Sequence, residues 1–319
     1  MELVATQRRR LGRSPVEVTT LGLGTAALGG MYTSVADVEA TAVVRTALDA
    51  GLNLIDTAPL YGHGTAERRV GAALAGVDRS SFLLSTKVGW AIVERPGGDT
   101  GIFADAAPSD VVPDYSAEGI RRSLEGSLER LGLDAVDIVL IHDPDDHEDA
   151  ALATAYPVLH ALRHEGLVRA IGVGMNQSRI LTRFVLETDV DCVLLAGRWT
   201  LLDRSGGTDL LPACTERGVS VIAGGIYNSG LLADPRPGAR FDYAVAPPAL
   251  VARARRFGEI CAAYGVPLKA AALQFPLRHP AVATVLAGTR STAELTENLE
   301  LLAVDVPAEL WAELDAAVT

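Results

Sequence analysis

Residues 34–56 read SVADVEATAVVRTALDAGLNLID, a helix, a stop and a strand in succession. Ser34, followed three residues later by Asp37, is a helix-start signal, and Val38, Val43, Val44, Ala47 and Leu48 recur at the spacing of one helical face. Gly51 supplies the left-handed stop, and the short apolar run that follows is tipped by Asp56. Working outward, the same alternation recurs about eight times along the chain. The spacing predicts strands over residues 16–21, 52–56, 82–87, 136–142, 169–173, 191–196, 219–223 and 283–287, and further helices over 117–131, 150–165, 249–263 and 269–275. Most of the strand runs are almost entirely apolar, as parallel strands covered on both faces must be. The expected fold is therefore a (β/α)8 TIM barrel, an α/β architecture, spanning residues 1–319 as a single domain, since no glycine-serine linker or charge run divides the chain. Two connections, 89–115 and 224–248, are long and rich in glycine, proline and aspartate. Both follow strands, which puts them on the face where a barrel of this kind builds its active site.

The composition agrees with a large packed core: 49% of the 319 residues are hydrophobic and 21% charged. A formal charge of −12 gives no support to a nucleic-acid or anionic-membrane partner, and the short Arg8-Arg9-Arg10 run reads as a solvated turn. No apolar run is long enough to cross a bilayer, and the polar, arginine-rich start lacks an adjacent apolar signal segment, so a cytoplasmic location is expected. Cys192, Cys214 and Cys261 lie far apart in apolar stretches and read as reduced, buried packing residues.

Chemistry concentrates at the ends of three consecutive strands. The second ends in Asp56 and leads through Thr57-Ala58-Pro59-Leu60 to Tyr61, the third ends in Ser85-Thr86-Lys87, and the fourth in His142. A parallel barrel gathers such ends at one mouth. A lysine closing an apolar strand needs a partner, and Asp56 is the candidate. The ammonium would in turn tune a tyrosine whose ordinary pKa is about 10, fitting it to give or take a proton at a carbonyl or hydroxyl oxygen, while His142 would orient that oxygen. The cluster His142-Asp143-Pro144-Asp145-Asp146-His147 contains metal-ligand types, but Pro144 and its loop setting oppose a preformed cage, and no metal is expected. Asp143 and His147 are instead candidates to line a sugar pocket, with Tyr32 and Trp90 as an aromatic wall. His63, between two glycines, reads as exposed loop.

These segments together resemble aldo-keto reductases in order and spacing. The resemblance is carried by Leu11-Gly12 with Leu21-Gly-Leu-Gly-Thr25, by Gly51-Leu-Asn-Leu-Ile-Asp56-Thr-Ala-Pro-Leu-Tyr61-Gly with Glu67, by Ser85-Thr-Lys87, by Val136-Asp137-Ile-Val-Leu-Ile-His142 and by Ile171-Gly-Val, and it covers essentially the whole chain. It implies an N-terminal β-hairpin before the barrel, Tyr61 as the general acid-base, Lys87 as the group lowering its pKa, Asp56 as the partner of the lysine, and His142 as the orienter of the substrate oxygen. Within the family, Ile141-His142-Asp143-Pro144-Asp145, Gly172-Val-Gly-Met-Asn176-Gln and Thr200-Leu-Leu-Asp203 resemble the subgroup of L-fucose or D-threo-aldose 1-dehydrogenases and pyridoxal 4-dehydrogenase. The implied reaction is hydride transfer between a nicotinamide nucleotide and a carbonyl or hemiacetal carbon of a small molecule or sugar, with oxidation of an aldose to a lactone first. Reduction of small aldehydes or ketones with NADPH, pyridoxal oxidation, and a nucleotide-bound regulatory subunit are the alternatives. Oligomeric state is not written in these residues.

The same resemblance places nucleotide contacts at Gly24, Thr25, Asp56 and Asn176, and at Gly288, Thr289, Arg290, Glu294, Glu297 and Asn298 around the helix after the eighth strand. Many NADPH-using members carry a lysine-serine pair and an arginine where this chain has Gly288, Thr289 and Glu294. A carboxylate at that point repels a 2′-phosphate and can accept from a 2′-hydroxyl, which favours NAD, while Arg290 keeps NADP open. Ser291-x-x-Glu294 also reads as a plain capping box. Asn176 keeps the family's carboxamide-binding place without the usual serine. Ala196-Gly197 and Ala223-Gly224 stand where a glutamine and a ring-stacking tyrosine are common, leaving Trp199 or Tyr227 as substitutes.

Overall fold

Strands buried on both faces are the hallmark of a closed parallel barrel, and the apolar runs of this chain form one. The computed structural model describes residues 3–95 and 97–318. Its barrel strands are β1 Leu21–Gly24, β2 Leu54–Asp56, β3 Leu83–Val88, β4 Ile138–His142, β5 Ala170–Met175, β6 Cys192–Ala196, β7 Ser220–Gly224 and β8 Val282–Gly288. Each pairs in parallel with its sequence neighbours, and β8 closes the ring on β1. Along the strands, alternate side chains divide between two apolar layers. Leu54, Leu83, Ile138, Leu140, Cys192, Leu194, Ile222 and Leu286 fill the barrel interior, whereas Ile55, Leu84, Val139, Ile171, Val193 and Val221 face the surrounding helices. Burial of each large aliphatic side chain contributes about 1.5–3 kcal/mol, so both layers anchor the strand ends on which the site is built.

The N-terminal hairpin pairs Arg8–Arg10 with Glu17–Thr19 and drives Leu11, Val16 and Val18 into the lower end of the barrel interior. The run predicted as one strand over 16–21 is thus two. Its first half belongs to this hairpin, and the first barrel strand begins only at Leu21; the run Val16–Thr20, rich in β-branched residues, favours extended backbone on both sides of the corner. Arg8–Arg10 is likewise a strand rather than a turn, with Arg9 Nη1 donating to the Val282 carbonyl at 3.1 Å. The first helix runs Asp37–Asp49 without a side-chain cap, and Ser34 instead hydrogen-bonds Asp105 from the loop after β3. A serine hydroxyl facing a carboxylate on another loop serves that contact in place of its own helix. The helix Ala117–Leu131 has the predicted bounds, capped by Ser116 and ended by Gly132 at φ 64°. The helical stretch predicted over 150–165 runs from Glu148 to His164 with a π turn at Ala151–Ala155.

Both long connections contain their own antiparallel ribbons. That after β3 pairs Trp90–Glu94 with Ser109–Pro113, and that after β7 pairs Arg240–Phe241 with Ala244–Val245. Cys192, Cys214 and Cys261 are buried and carry free thiols. Among the described residues, no single helix is long and apolar enough to cross a membrane.

Candidate active site

Register brings the predicted groups to one end of the barrel. Asp56 pairs with Gly24 on one side and Ser85 on the other, Lys87 with Leu140, and His142 with Gly174. Lys87 is 1% exposed, the largest fully buried side chain among the described residues, and its Nζ donates to Asp56 Oδ2 at 2.7 Å and to the Thr57 carbonyl at 2.9 Å. The second oxygen of Asp56 accepts from Ser85 Oγ at 2.9 Å, so this carboxylate has both of its oxygens satisfied. Burial works against the charge of Lys87 most strongly, yet the field of Asp56 and the hydrogen bonds outweigh it and hold the ammonium above its ordinary pKa.

Tyr61 comes from the turn that follows β2. Its backbone lies directly on Gly29 of the loop after β1, where a β-carbon would stand 2.7 Å from the Tyr61 carbonyl carbon, and Gly62 turns at φ 64°. Thr86 Oγ1 donates to Glu67 Oε1 at 2.7 Å, and Arg130 Nε donates to Glu67 Oε2 at 2.6 Å, which pins the helix Thr65–Leu74 behind that turn to β3. The half-buried phenol ring then lies with its centroid 4.6 Å from Lys87 Nζ and edge-on to His142, ring centroids 5.8 Å apart. Lys87 acts on its pKa in the expected direction, but the net shift is upward. Burial pushes the phenol up and dominates, Lys87 pulls it down, and Asp56 pushes it up again. The pull of Lys87 on the phenol is offset in part by Asp56, the carboxylate paired with it at 2.7 Å, and burial decides the sign. His142 is held well below its ordinary range by burial and then by Lys87, so the imidazole is neutral, and its Nδ1 has no partner.

The backbone of His142 is clamped from outside. Trp90 Nε1 donates to the His142 carbonyl at 2.9 Å, and the Tyr115 hydroxyl reaches the same oxygen at 2.7 Å and that of Asp143 at 2.9 Å. Gly89 is required for this, since a β-carbon there would stand 2.4 Å from the Tyr115 ring. The clamp holds Asp143 at φ 40°, a left-handed conformation costing about 1–2 kcal/mol, with Oδ2 3.6 Å from His142 Nε2. Burial, then the charge of Asp145, pushes the Asp143 carboxyl up to about 7 against the pull of Lys87. Asp143 thus stands beside the tetrad. His147, its companion in the sequence reading, packs against Tyr115 at 5.3 Å between centroids, and the Trp90 indole N–H serves the clamp. His63 corrects a second expectation: it is buried, with Nδ1 2.8 Å from Ser109 Oγ. The ribbon after β3 covers it.

The mouth as a whole has the composition of a ligand cradle. Thr57 Oγ1, Asn228 Oδ1 and Thr289 Oγ1, like His142 Nδ1, are buried polar atoms without a partner, at or beyond the ends of β2, β7, β8 and β4. Such atoms cost about 1–3 kcal/mol each unless a ligand answers them, and a nicotinamide nucleotide, with its carboxamide, hydroxyls and phosphates, fits that need. Thr25 Oγ1 donates to the Asp56 carbonyl at 2.9 Å beside Gly24, and Asn176 Nδ2 donates to the Ala196 carbonyl at 3.1 Å. Around the helix Thr292–Leu302, Ser291 Oγ accepts from the Glu294 N–H, and Glu294 reaches back to the Arg290 N–H at 2.8 Å and to Arg290 Nη2 at 2.7 Å. The capping reading of Glu294 is therefore the one the geometry adopts, and it occupies Arg290 as well. Lys269 is paired with Glu297, and Asn298 Oδ1 accepts from the Tyr227 hydroxyl at 2.6 Å. At Gly288 a β-carbon would meet only open space.

Ala196 and Gly224 end β6 and β7, so no side chain there can support a ring. Trp199 faces Phe275 and His279 and donates to the Pro276 carbonyl, and Tyr227 is spent on Asn298. The residue that sequence reasoning missed is Tyr243, at the tip of the ribbon after β7. Its phenol is raised by burial and by the fields of Asp143 and Tyr32, and lowered by a hydrogen bond with Asn176.

The model of the aldo/keto reductase family matches residues 20–319. Over 309 residues the chain is 43% identical to D-threo-aldose 1-dehydrogenase from a Pseudomonas species, covering 94% of each protein. It is 37% identical over 338 residues to pyridoxal 4-dehydrogenase of Microbacterium luteolum, with 98% of both covered. Among solved structures, aldo-keto reductase AKR11C1 of Bacillus halodurans in its holo form superposes with a TM-score of 0.79 at 25% identity, covering 98% of this chain and 97% of that one. With a closed parallel barrel, the Asp56, Tyr61, Lys87 and His142 side chains gathered at its mouth, and a match over nearly its whole length, the chain belongs to the aldo/keto reductase family and is an NAD(P)-dependent oxidoreductase of carbonyl substrates.

Proposed function

We propose that this protein oxidises an aldose, in its cyclic hemiacetal form, at the anomeric carbon to the lactone, using NAD in preference to NADP, with residues 1–319 acting as one domain. The observation that carries the substrate class is the 43% identity to an enzyme named D-threo-aldose 1-dehydrogenase, spread over 94% of the chain. Three buried free thiols accord with a cytoplasmic setting.

A nicotinamide nucleotide held at this mouth would supply the hydride acceptor for the anomeric carbon. Tyr61, as the phenolate that Lys87 supports, takes the proton of the anomeric hydroxyl and becomes the neutral phenol, while Asp56 holds Lys87 in place. Neutral His142 accepts or donates a hydrogen bond at the same oxygen and adds no charge that would compete with proton transfer. Asp143, half-buried beside His142, receives a ring hydroxyl of the sugar, and Tyr32 and Trp90 flank it. Thr25, Asn176, Thr289 and Asn298 hold the nucleotide. NAD is favoured because the two cations near the helix Thr292–Leu302, Arg290 and Lys269, are each already paired with a glutamate, leaving neither to meet a 2′-phosphate.

A second reading, pyridoxal oxidation, is favoured by the 37% identity to pyridoxal 4-dehydrogenase and uses the same residues. Following nucleotide reduction at 340 nm across a panel of aldoses and pyridoxal, with NAD and with NADP, tests both. Higher kcat/KM for an aldose with NAD is the expected outcome. A preference for pyridoxal exchanges the substrates, and a preference for NADP refutes the nucleotide assignment.

A further inference from the structure

Beyond β7 the chain runs out over the barrel mouth and returns through the ribbon Arg240–Phe241 and Ala244–Val245. Its two turn residues, Asp242 and Tyr243, both have positive φ, 49° and 64°. This is the mirror-image two-residue turn that ordinarily selects asparagine and glycine, and a tyrosine stays in it only where its surroundings hold it. The ribbon contributes little core of its own, with Val245 69% exposed.

What holds it is polar and comes from three sides. Arg198, just after β6, donates from Nη1 to Asp242 Oδ1 at 2.8 Å and from Nη2 to Oδ2 at 2.7 Å, a two-point grip. Arg240 lies 4.6 Å above the Tyr32 ring and donates to the Tyr243 carbonyl at 3.1 Å. Ser229 Oγ accepts from the Tyr243 N–H at 3.2 Å. Tyr243, 46% exposed, is thereby held at the ribbon tip on the side of Tyr32, through Arg240, which grips its carbonyl and lies over the Tyr32 ring.

We propose that Tyr243 is the outer wall of the substrate pocket and that the Arg198–Asp242 pair is the latch that keeps it there, making this residue a determinant of which ring-shaped substrates the pocket retains. The wall rests on the reading that substrate binds beside Tyr61. The latch does not.

Arg198→Gln and, independently, Asp242→Asn test the latch in ligand-free protein. Each is expected to speed tryptic cleavage after Arg240, followed by the mass of the two fragments, about tenfold. Equal rates in both variants and the wild type overturn it. For the wall, Tyr243→Ala is expected to raise the aldose KM about tenfold, by more than any fall in kcat, with Tyr243→Phe recovering most of the loss because it keeps the ring. No change, or a loss confined to kcat, overturns that assignment. If wild-type protein turns over no aldose or other carbonyl with either nucleotide, the pocket reading fails and takes the wall with it, whereas the cleavage rates still decide the latch.

Discussion

The barrel mouth has two unlike halves. Across β2 to β4 the functional groups sit on the strands themselves, buried, paired and held by short hydrogen bonds, as Lys87 is between Asp56 and the Thr57 carbonyl. Across β6 to β8 the strands end in Ala196, Gly224 and Gly288, and the side chains that shape the pocket hang from loops held by exposed or half-exposed ion pairs. Proton transfer needs a fixed distance, which a strand end supplies. Recognition of a substrate that must enter and leave needs a surface that can give, which a latched ribbon supplies. The difference assigns proton transfer to the strand ends of one half and adjustable substrate contacts to the loops around them.

The sharpest way to break that division is at Tyr61. Tyr61→Phe is expected to lower kcat by about 10³-fold or more while nucleotide affinity, read by NADH fluorescence, stays close to wild type. Loss of nucleotide binding instead would mean that the strand half also governs recognition. In the wild type, burial holds the proton on this phenol at neutral pH, so oxidation, which needs the phenolate as proton acceptor, is expected to accelerate as pH rises, whereas reduction, which uses the protonated phenol, stays level. An oxidation rate that falls from pH 7 to 9 contradicts the assignment. Next in size is Asp56→Ala, which leaves a buried ammonium unpaired and is expected to cost about 3–5 kcal/mol in denaturant unfolding, with the double change Asp56→Leu, Lys87→Met recovering much of it. Tyr115→Phe removes one of two donors to the His142 carbonyl and is expected to cost about 1 kcal/mol of stability, together with a several-fold rise in the sugar KM as Asp143 relaxes. The smallest effect belongs to the loop half: Glu294→Gln frees Arg290 and is expected to improve kcat/KM with NADP several-fold, leaving that with NAD nearly unchanged.

This contrast also explains what could be read without coordinates. Continuous apolar runs announce doubly covered strands, and a lysine at the end of one such run demands an acid, so Asp56, Lys87, His142 and the turn bearing Tyr61 stood out in one dimension. The corner at Thr20 did not, because the stretch Val16–Thr20 is rich in β-branched residues and has no turn residue to mark where the backbone changes sheets. Ser34 and His63 deceived for a related reason: each meets a partner, Asp105 or Ser109, on the long connection after β3, which no local pattern can place. Glu294 carried two readings, repulsion of phosphate and helix capping, and only its distances to Arg290 separate them. Tyr243 left no periodic signal at all, since its place depends on a turn conformation that tyrosine seldom adopts.

The pairing of Leu21–Gly24 with Val282–Gly288 has a consequence for biosynthesis. A ribosome emits the hairpin that seals the barrel floor long before the strand that completes the wall, so more than 250 residues must be made before the cylinder can shut. Until then β1 has an unsatisfied edge and the lower plug of Leu11, Val16 and Val18 has no finished vessel to fill. Nascent chains of this protein are therefore exposed to mispairing for most of their translation, and assistance that shields strand edges should raise yield more than any added stability in the finished barrel.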